Sequence, residues 1–204
     1  MEYLDKLVLL HSGENLELLK FLLGMALVIF SIFSGVLFSS ALLSFIYKSK
    51  YKKSGNENHI RLAIDYANLI TTNKLMGFFL GIIPFAVIIM LYLQLLHGTE
   101  AQVASFLITG FLLYVVGLVS VYIYKHTLQL NYFFSIFKKS KTAKIKSEAD
   151  EDFEELSKNS FITNAASSVW GLLLIFISLW IFISANTLAY EQDKWSSIQS
   201  IYTA

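Results

Sequence analysis

The stretch FLLGMALVIFSIFSGVLFSSALLSFIY, residues 21–47, decides the fold class, because it contains no Asp, Glu, Lys or Arg. A helix needs about 20 such residues to cross a hydrocarbon core about 30 Å thick. Three further uncharged runs follow, at 75–99, 101–124 and 159–190. Backbone at membrane depth must satisfy its own hydrogen bonds, so each run predicts a helix. The sequence therefore predicts an all-α integral membrane protein, a four-helix transmembrane bundle forming a single domain over 1–204.

The predicted spans cover about 19–47, 74–97, 102–126 and 161–188. Of the 204 residues, 55% are hydrophobic and 15% are charged, against about a quarter charged in soluble domains. The absence of cysteine excludes disulfides and thiolate metal sites, and a net charge of +1 argues against a nucleic-acid partner. The N-terminus lacks a basic segment before its apolar run, so we expect no cleaved signal peptide.

The lysines and arginine predict the orientation. Thirteen of the sixteen fall in the segments at about 48–73 and 127–160 or at their borders, and three fall on the opposite side. The positive-inside rule then predicts two cytoplasmic loops and an N-out/C-out topology in the cell inner (cytoplasmic) membrane, with multiple passes. The second loop carries a basic stretch that suits anionic lipid. It also carries an acidic run at 148–155, which is either a solvated face or a docking site for a cytoplasmic partner.

Small residues recur at helical spacing on every predicted span. In lipid, helices associate through close packing and inter-helix hydrogen bonds, so these faces are the predicted helix-packing contacts. Either the bundle packs on itself through them, or some of them receive a larger membrane partner. Pro84 lies within the second span and predicts a kink. The predicted packing residues are Gly24, Ser31, Gly35, Ser39, Gly77, Gly81, Gly110, Gly117, Asn164, Ser167, Gly171 and Ser178.

Histidines are the remaining candidates for cofactor chemistry. In the predicted topology His11 precedes the first span and His97 ends the second, so both lie at the outer face. A b-type haem takes axial ligands such as His from facing helices, and this pair is the candidate for haem b. The alternative is that each is an interfacial histidine without a ligand role. No catalytic residue and no metal site are predicted, because the cores of the four spans contain no acidic or basic side chain and no hydrolase motif occurs.

Two segments, GENLELLKFLLGMALVIFSIFSG (13–35) and TTNKLMGFFLGIIPFAVIIMLYLQLLHG (71–98), resemble the N-terminal membrane part of bacterial bd-like quinol-oxidising cytochromes. The resemblance covers residues 14–126 at most. It implies an electron-transfer setting and a haem-ligating histidine near the outer end of the first span, for which His11 is the matching position. His11 stands outside the apolar run, and the chain has four spans and lacks the quinol-loop signature, so a degenerate relative is implied.

These observations predict an integral-membrane, non-catalytic subunit of a respiratory or electron-transfer complex. It would pack against a catalytic subunit and frame a quinone or haem b pocket, with membrane lipid and other membrane subunits as partners. On its own the chain is not expected to be an enzyme, and any enzyme it belongs to would be a quinol/cytochrome oxidoreductase complex. Two alternatives stay open: a stand-alone membrane scaffold that recruits a cytoplasmic partner, and a small transporter of neutral substrates.

Overall fold

The computed structural model describes residues 13–71, 74–95, 101–140 and 148–190. Over these residues the chain is helical except at Gly55 and Asn56, and no strand is present. Five helices follow in order. They are α1 (Gly13–Ser54), α2 (Glu57–Thr71), α3 (α-helical at Lys74–Met76 and Ile83–Leu95, with π-helical Gly77–Ile82 between them), α4 (Ala101–Ser140) and α5 (Glu148–Tyr190).

Four of these helices are long and apolar enough to cross a membrane. The candidate spans are Glu17–Ser54, Gly77–Leu95, Ser105–Phe137 and Glu154–Thr187, with mean hydropathy between 2.2 and 2.5. Large apolar side chains such as Trp180 remain exposed along their outer faces. The prediction of an all-α chain with four potential membrane spans is therefore confirmed.

The helices extend well past the spans expected from the sequence. Both segments predicted as loops contain helix. In the first, residues 48–54 continue α1 and 57–71 form α2; in the second, residues 127–140 continue α4 and 148–160 begin α5. At 1.5 Å per residue the 40 residues of α4 reach about 60 Å, roughly twice the hydrocarbon thickness. A charged residue is excluded from the hydrocarbon core but not from a helix, so the first lysine after an apolar run does not mark a helix end.

The helices form an antiparallel bundle in which α2 and α3 together run back along α1. Ser44 of α1 contacts Ala63 of α2, whereas Phe30 of α1 contacts Phe85 of α3. A two-residue turn makes this reversal possible. Gly55 adopts a left-handed φ of 66°, and its N–H bonds the carbonyl of Tyr51 at 2.9 Å, as in a glycine-terminated helix. α4 and α5 form the second antiparallel pair.

One aromatic ring from each of α1, α3, α4 and α5 meets in the centre of the bundle. Phe30 lies 4.7 Å from Phe85, 4.7 Å from Phe182 and 5.2 Å from Tyr114, measured between ring centroids. All four side chains are buried, and tilted or edge-on ring pairs of this kind add specific attraction to simple packing. This cluster fixes how the four long helices meet.

The second span changes its winding immediately before Pro84. Residues Gly77–Ile82 are π-helical, and regular α-helix resumes at Ile83. Proline lacks an N–H and its ring clashes with the carbonyl four residues earlier, here that of Leu80. A wider turn relieves that clash, which explains why the π-helical segment ends just before the proline. The kink predicted at Pro84 stays a prediction.

Candidate functional site: a lysine-lined cavity

A cavity of about 210 Å³ lies where the end of α1, the beginning of α2, the second half of α4 and the beginning of α5 converge. We call it the basic cavity. Its walls combine lysines, aromatic rings, apolar side chains and amides, namely Lys48, Tyr51, Lys52, Ile60, Leu128, Asn131, Tyr132, Ser135, Phe161 and Asn164. No Asp or Glu occurs in this described lining.

Both lysines of the basic cavity are held against aromatic rings. They stand four residues apart on α1 and so share one helix face. The Lys48 ammonium lies 5.2 Å from the centroid of the Tyr124 ring, and that of Lys52 lies 4.9 Å from the Phe161 ring. Lys48 is 8% exposed, so its stem is packed between helices. Cation–π contacts of this length orient the two charges without neutralising them.

A hydrogen-bond chain fixes Tyr124 beneath Lys48. Ser44 donates its hydroxyl to the carbonyl of Ala63 at 2.6 Å, and Ser44 Oγ lies 3.0 Å from Tyr124 Oη. Because the one hydroxyl hydrogen of Ser44 is used on Ala63, the Tyr124 hydroxyl is the donor to Ser44. The chain therefore joins α1, α2 and α4 beside Lys48, which lines the cavity.

Asn164 contributes an acceptor that has no donor. Its Nδ2 donates to the Tyr124 carbonyl at 3.1 Å and to Thr127 Oγ1 at 2.9 Å, which identifies the other amide atom as the oxygen. That atom, Oδ1, is buried and has no hydrogen-bond partner, and the residue is 1% exposed. Buried polar atoms in proteins are nearly always paired, so this oxygen is an exception. It has less than 1 Å² of accessible surface, so it is closed off from the cavity that the residue lines.

A second, shallower cavity of about 370 Å³ lies on the other side of Tyr132. It is lined by Arg61, Ile64, Asp65, Gln129 and Tyr132. A side-chain hydrogen bond to Tyr132 raises the pKa of Arg61 above its usual value. Tyr132 thus separates a cavity with two lysines from one that contains an arginine and a carboxylate.

The basic cavity is suited to binding an anion. Its described lining offers ammonium groups, hydroxyls and amides. Within the described residues, no group of three or more His, Asp or Glu is arranged to hold a metal ion. The lining therefore supplies positive charge and hydrogen-bond donors to a negatively charged group.

The small residues of α3, α4 and α5 lie between helices. A Cβ added to Gly77 would meet Tyr122 Oη at 2.9 Å, and one on Gly81 would meet Tyr114 Oη at 2.9 Å. A Cβ added to Gly117 or Gly171 would lie 3.1 or 3.3 Å, respectively, from a backbone nitrogen of the facing helix. Inter-helix contact also occurs at Gly110, whose carbonyl accepts from Ser178 at 2.7 Å, while Ser167 is buried.

The predicted small residues of α1 lie elsewhere. Gly24, Ser31, Gly35 and Ser39 are exposed, and a Cβ built on either glycine would have no neighbour within 4 Å. α1 instead meets the other helices through a face of larger side chains and serines that includes Phe30. Helical spacing identifies a common face, but it does not say whether that face points into the bundle or out of it. For α1 it points outward.

Other predicted site residues fall outside this region. His11 and His97 lie outside the described residues, so the haem hypothesis stays a prediction. Of the acidic run at 148–155, the side chains of Glu154 and Glu155 are described, and both are exposed. From the sequence, Lys48 and Lys52 were interpreted only as indicators of topology. Their four-residue spacing at the end of an apolar run also indicates that they share one helix face.

Comparisons of this chain with protein-family models, with curated proteins and with solved structures give no match. Its function must therefore be inferred from its own residues and contacts. Two features bear on it most directly: the exposed small-residue face of α1 and the basic cavity.

Proposed function

We propose that the chain is a non-catalytic, integral-membrane subunit of a larger membrane complex. The observation that carries the proposal is the exposed face formed by Gly24, Ser31, Gly35 and Ser39, which we call the α1 stripe. The described glycines of α3, α4 and α5 pack against a neighbouring helix, whereas those of the stripe have nothing against them. The stripe is therefore a surface for a helix of another subunit.

The physical reason lies in what drives association in lipid. Acyl chains are as apolar as leucine, so a glycine facing lipid gains nothing over a larger residue. Between helices, by contrast, glycine and serine allow the backbones to approach closely and to exchange hydrogen bonds. The stripe supplies four such residues within sixteen positions, about 22 Å of helix.

The proposed topology places both termini outside, and it places the ends of α1 and α4 and the beginning of α5 in the cytoplasm, with the spans in the cytoplasmic membrane. The thirteen-to-three distribution of lysine and arginine supports it. The position of the basic cavity also supports it, since Lys48 and Lys52 belong to the side with the excess positive charge. The long helical ends would then project into the cytoplasm.

For the kind of complex, we propose a respiratory or electron-transfer assembly, supported by the resemblance to bd-like cytochromes over residues 14–126. Redox chemistry would belong to the catalytic partner, with this subunit bordering a quinone or haem b pocket near His11 and His97. Oxidised and dithionite-reduced absorbance spectra of the purified complex test this part. A haem band in the complex supports it, and a stable partner without haem or quinone contradicts it.

Subunit association is tested by purifying the chain from its native membrane in a mild detergent, followed by size exclusion and mass spectrometry. Ser31→Leu/Gly35→Leu should release the co-purifying subunit and leave the thermal stability of the bundle unchanged. Thr109→Leu is the matched control, because it replaces an exposed small polar residue on α4. A wild-type monomer or homo-oligomer, or a stripe variant that keeps its partner, contradicts the proposal.

A further inference from the structure

The described lining of the basic cavity lacks a counter-charge. Lys48 and Lys52 bring two positive charges into a space whose described lining has no carboxylate, and both charges rest on aromatic rings rather than on an acid. A fitting ligand must therefore carry negative charge for the lysines.

The cavity is too large to be filled by one or two water molecules. Its volume of about 210 Å³ corresponds to about seven waters at the density of the liquid. Its walls are also mixed, since Ile60, Leu128 and Phe161 present apolar surface beside the polar groups. Such a site suits a ligand in which a polar group is covalently attached to an apolar group.

The position of the cavity along the helices corresponds to the headgroup level. Lys48 directly follows the uncharged run that ends at Tyr47, and Phe161 and Asn164 lie near the start of the uncharged run that begins at Asn159. The two apolar runs thus end at the same height as the cavity. Phospholipid phosphates lie at this boundary, and basic pockets between membrane helices bind anionic headgroups.

We infer that the basic cavity is a specific site for the headgroup of an anionic phospholipid. Lys48 and Lys52 bind the phosphate. The tyrosines and Asn131 of the lining complete the polar contacts. This site is separate from the α1 stripe, so it does not depend on the proposed role as a subunit.

The test uses the full chain purified in a neutral maltoside detergent and titrated with lipid by native mass spectrometry. Phosphatidylglycerol should saturate one site, and phosphatidylcholine with the same acyl chains should not. Lys48→Met and Lys52→Met keep the side-chain stem and should each weaken phosphatidylglycerol binding about fivefold. Lys53→Met is the matched control, since Lys53 is exposed and does not line the cavity.

Several results would overturn the inference. Equal binding of phosphatidylglycerol and phosphatidylcholine removes the charge selectivity, and unchanged affinity in Lys48→Met/Lys52→Met removes the site. Thermal stabilisation by millimolar inorganic phosphate, without stabilisation by phosphatidylglycerol, would make free phosphate the ligand instead of lipid.

The lipid site and the α1 stripe are tested separately. Loss of the co-purifying subunit in the α1 stripe variant, with lipid binding intact, would show that the two surfaces act independently.

Discussion

Replacing Ser44 by alanine should destabilise the bundle more than replacing both Ser44 and its partner Tyr124. Ser44→Ala removes the hydrogen bond to the Ala63 carbonyl, and it leaves the Tyr124 hydroxyl buried without an acceptor. The two side chains are 0% and 2% exposed, so water cannot replace the lost partner. In Ser44→Ala/Tyr124→Phe both polar atoms are gone, and no unsatisfied group remains.

The magnitudes follow from the contacts. Hydrogen bonds between membrane helices contribute about 0.6 kcal/mol on average, so the two bonds lost in the double variant cost about 1 kcal/mol. Ser44→Ala adds the penalty for an unsatisfied hydroxyl, about 1–3 kcal/mol, for a sum of about 2–4 kcal/mol. Tyr124→Phe alone should cost about 0.6–1.7 kcal/mol, because Ser44 still donates to Ala63.

Unfolding in mixed micelles of neutral detergent and dodecyl sulfate, followed by circular dichroism, measures these differences. The matched pair is Ser34 and Tyr114, whose hydroxyls lie 3.1 Å apart in a second bridge between α1 and α4. There the single and double variants can be compared in the same way. A Ser44→Ala/Tyr124→Phe protein that is less stable than Ser44→Ala would refute the assignment of Tyr124 as donor to Ser44.

Three further expectations concern packing and topology. Gly117→Ala should destabilise the isolated chain by about 1–3 kcal/mol, because the new Cβ would lie 3.1 Å from the backbone nitrogen of Ile175. Gly24→Ala, with no atom within 4 Å, should stabilise it by up to about 1 kcal/mol through helix propensity, and detergent unfolding compares the two. Phe30→Ala should leave a cavity of the order of 100 Å³ and cost about 3–5 kcal/mol, and an unchanged unfolding midpoint would contradict the central role of the ring cluster. Because the chain has no cysteine, Thr99→Cys should react with an impermeant maleimide on intact cells and Ser54→Cys only after permeabilisation, and the reverse pattern would invert the proposed topology.

The four spans could be predicted because charge is costly in hydrocarbon and the uncharged runs are long. The helix ends could not, since packing outside the apolar runs determines them. Ile60 of α2 packs near Leu128 of α4, and this contact keeps helical two segments that the charge pattern assigns to loops. The pattern of charged and apolar residues indicates whether a segment lies in lipid or in water. It indicates less directly where a helix begins and ends.

The basic cavity could not be predicted for a different reason. Lys48 and Asn164 are 116 positions apart in the chain, and each has an ordinary local explanation, one as a topology charge and the other as a small residue in a span. Their significance arises when α1, α4 and α5 meet at one height. The outward orientation of the α1 stripe could not be predicted either. It follows from the packing of the opposite face of α1, which contains large side chains such as Phe30, against the other helices.

The overhang of α5 has an electrostatic consequence for its acidic beginning. Glu148 starts the helix thirteen residues before Phe161, a rise of about 20 Å, whereas electrostatic screening at physiological salt acts over about 8 Å. Only residues 148–150 are thus carried more than about two screening lengths from Phe161, because Glu155 stands six residues, about 9 Å, before that ring. One chain can therefore hold negative charge both within and beyond the electrostatic reach of the lysines at its base.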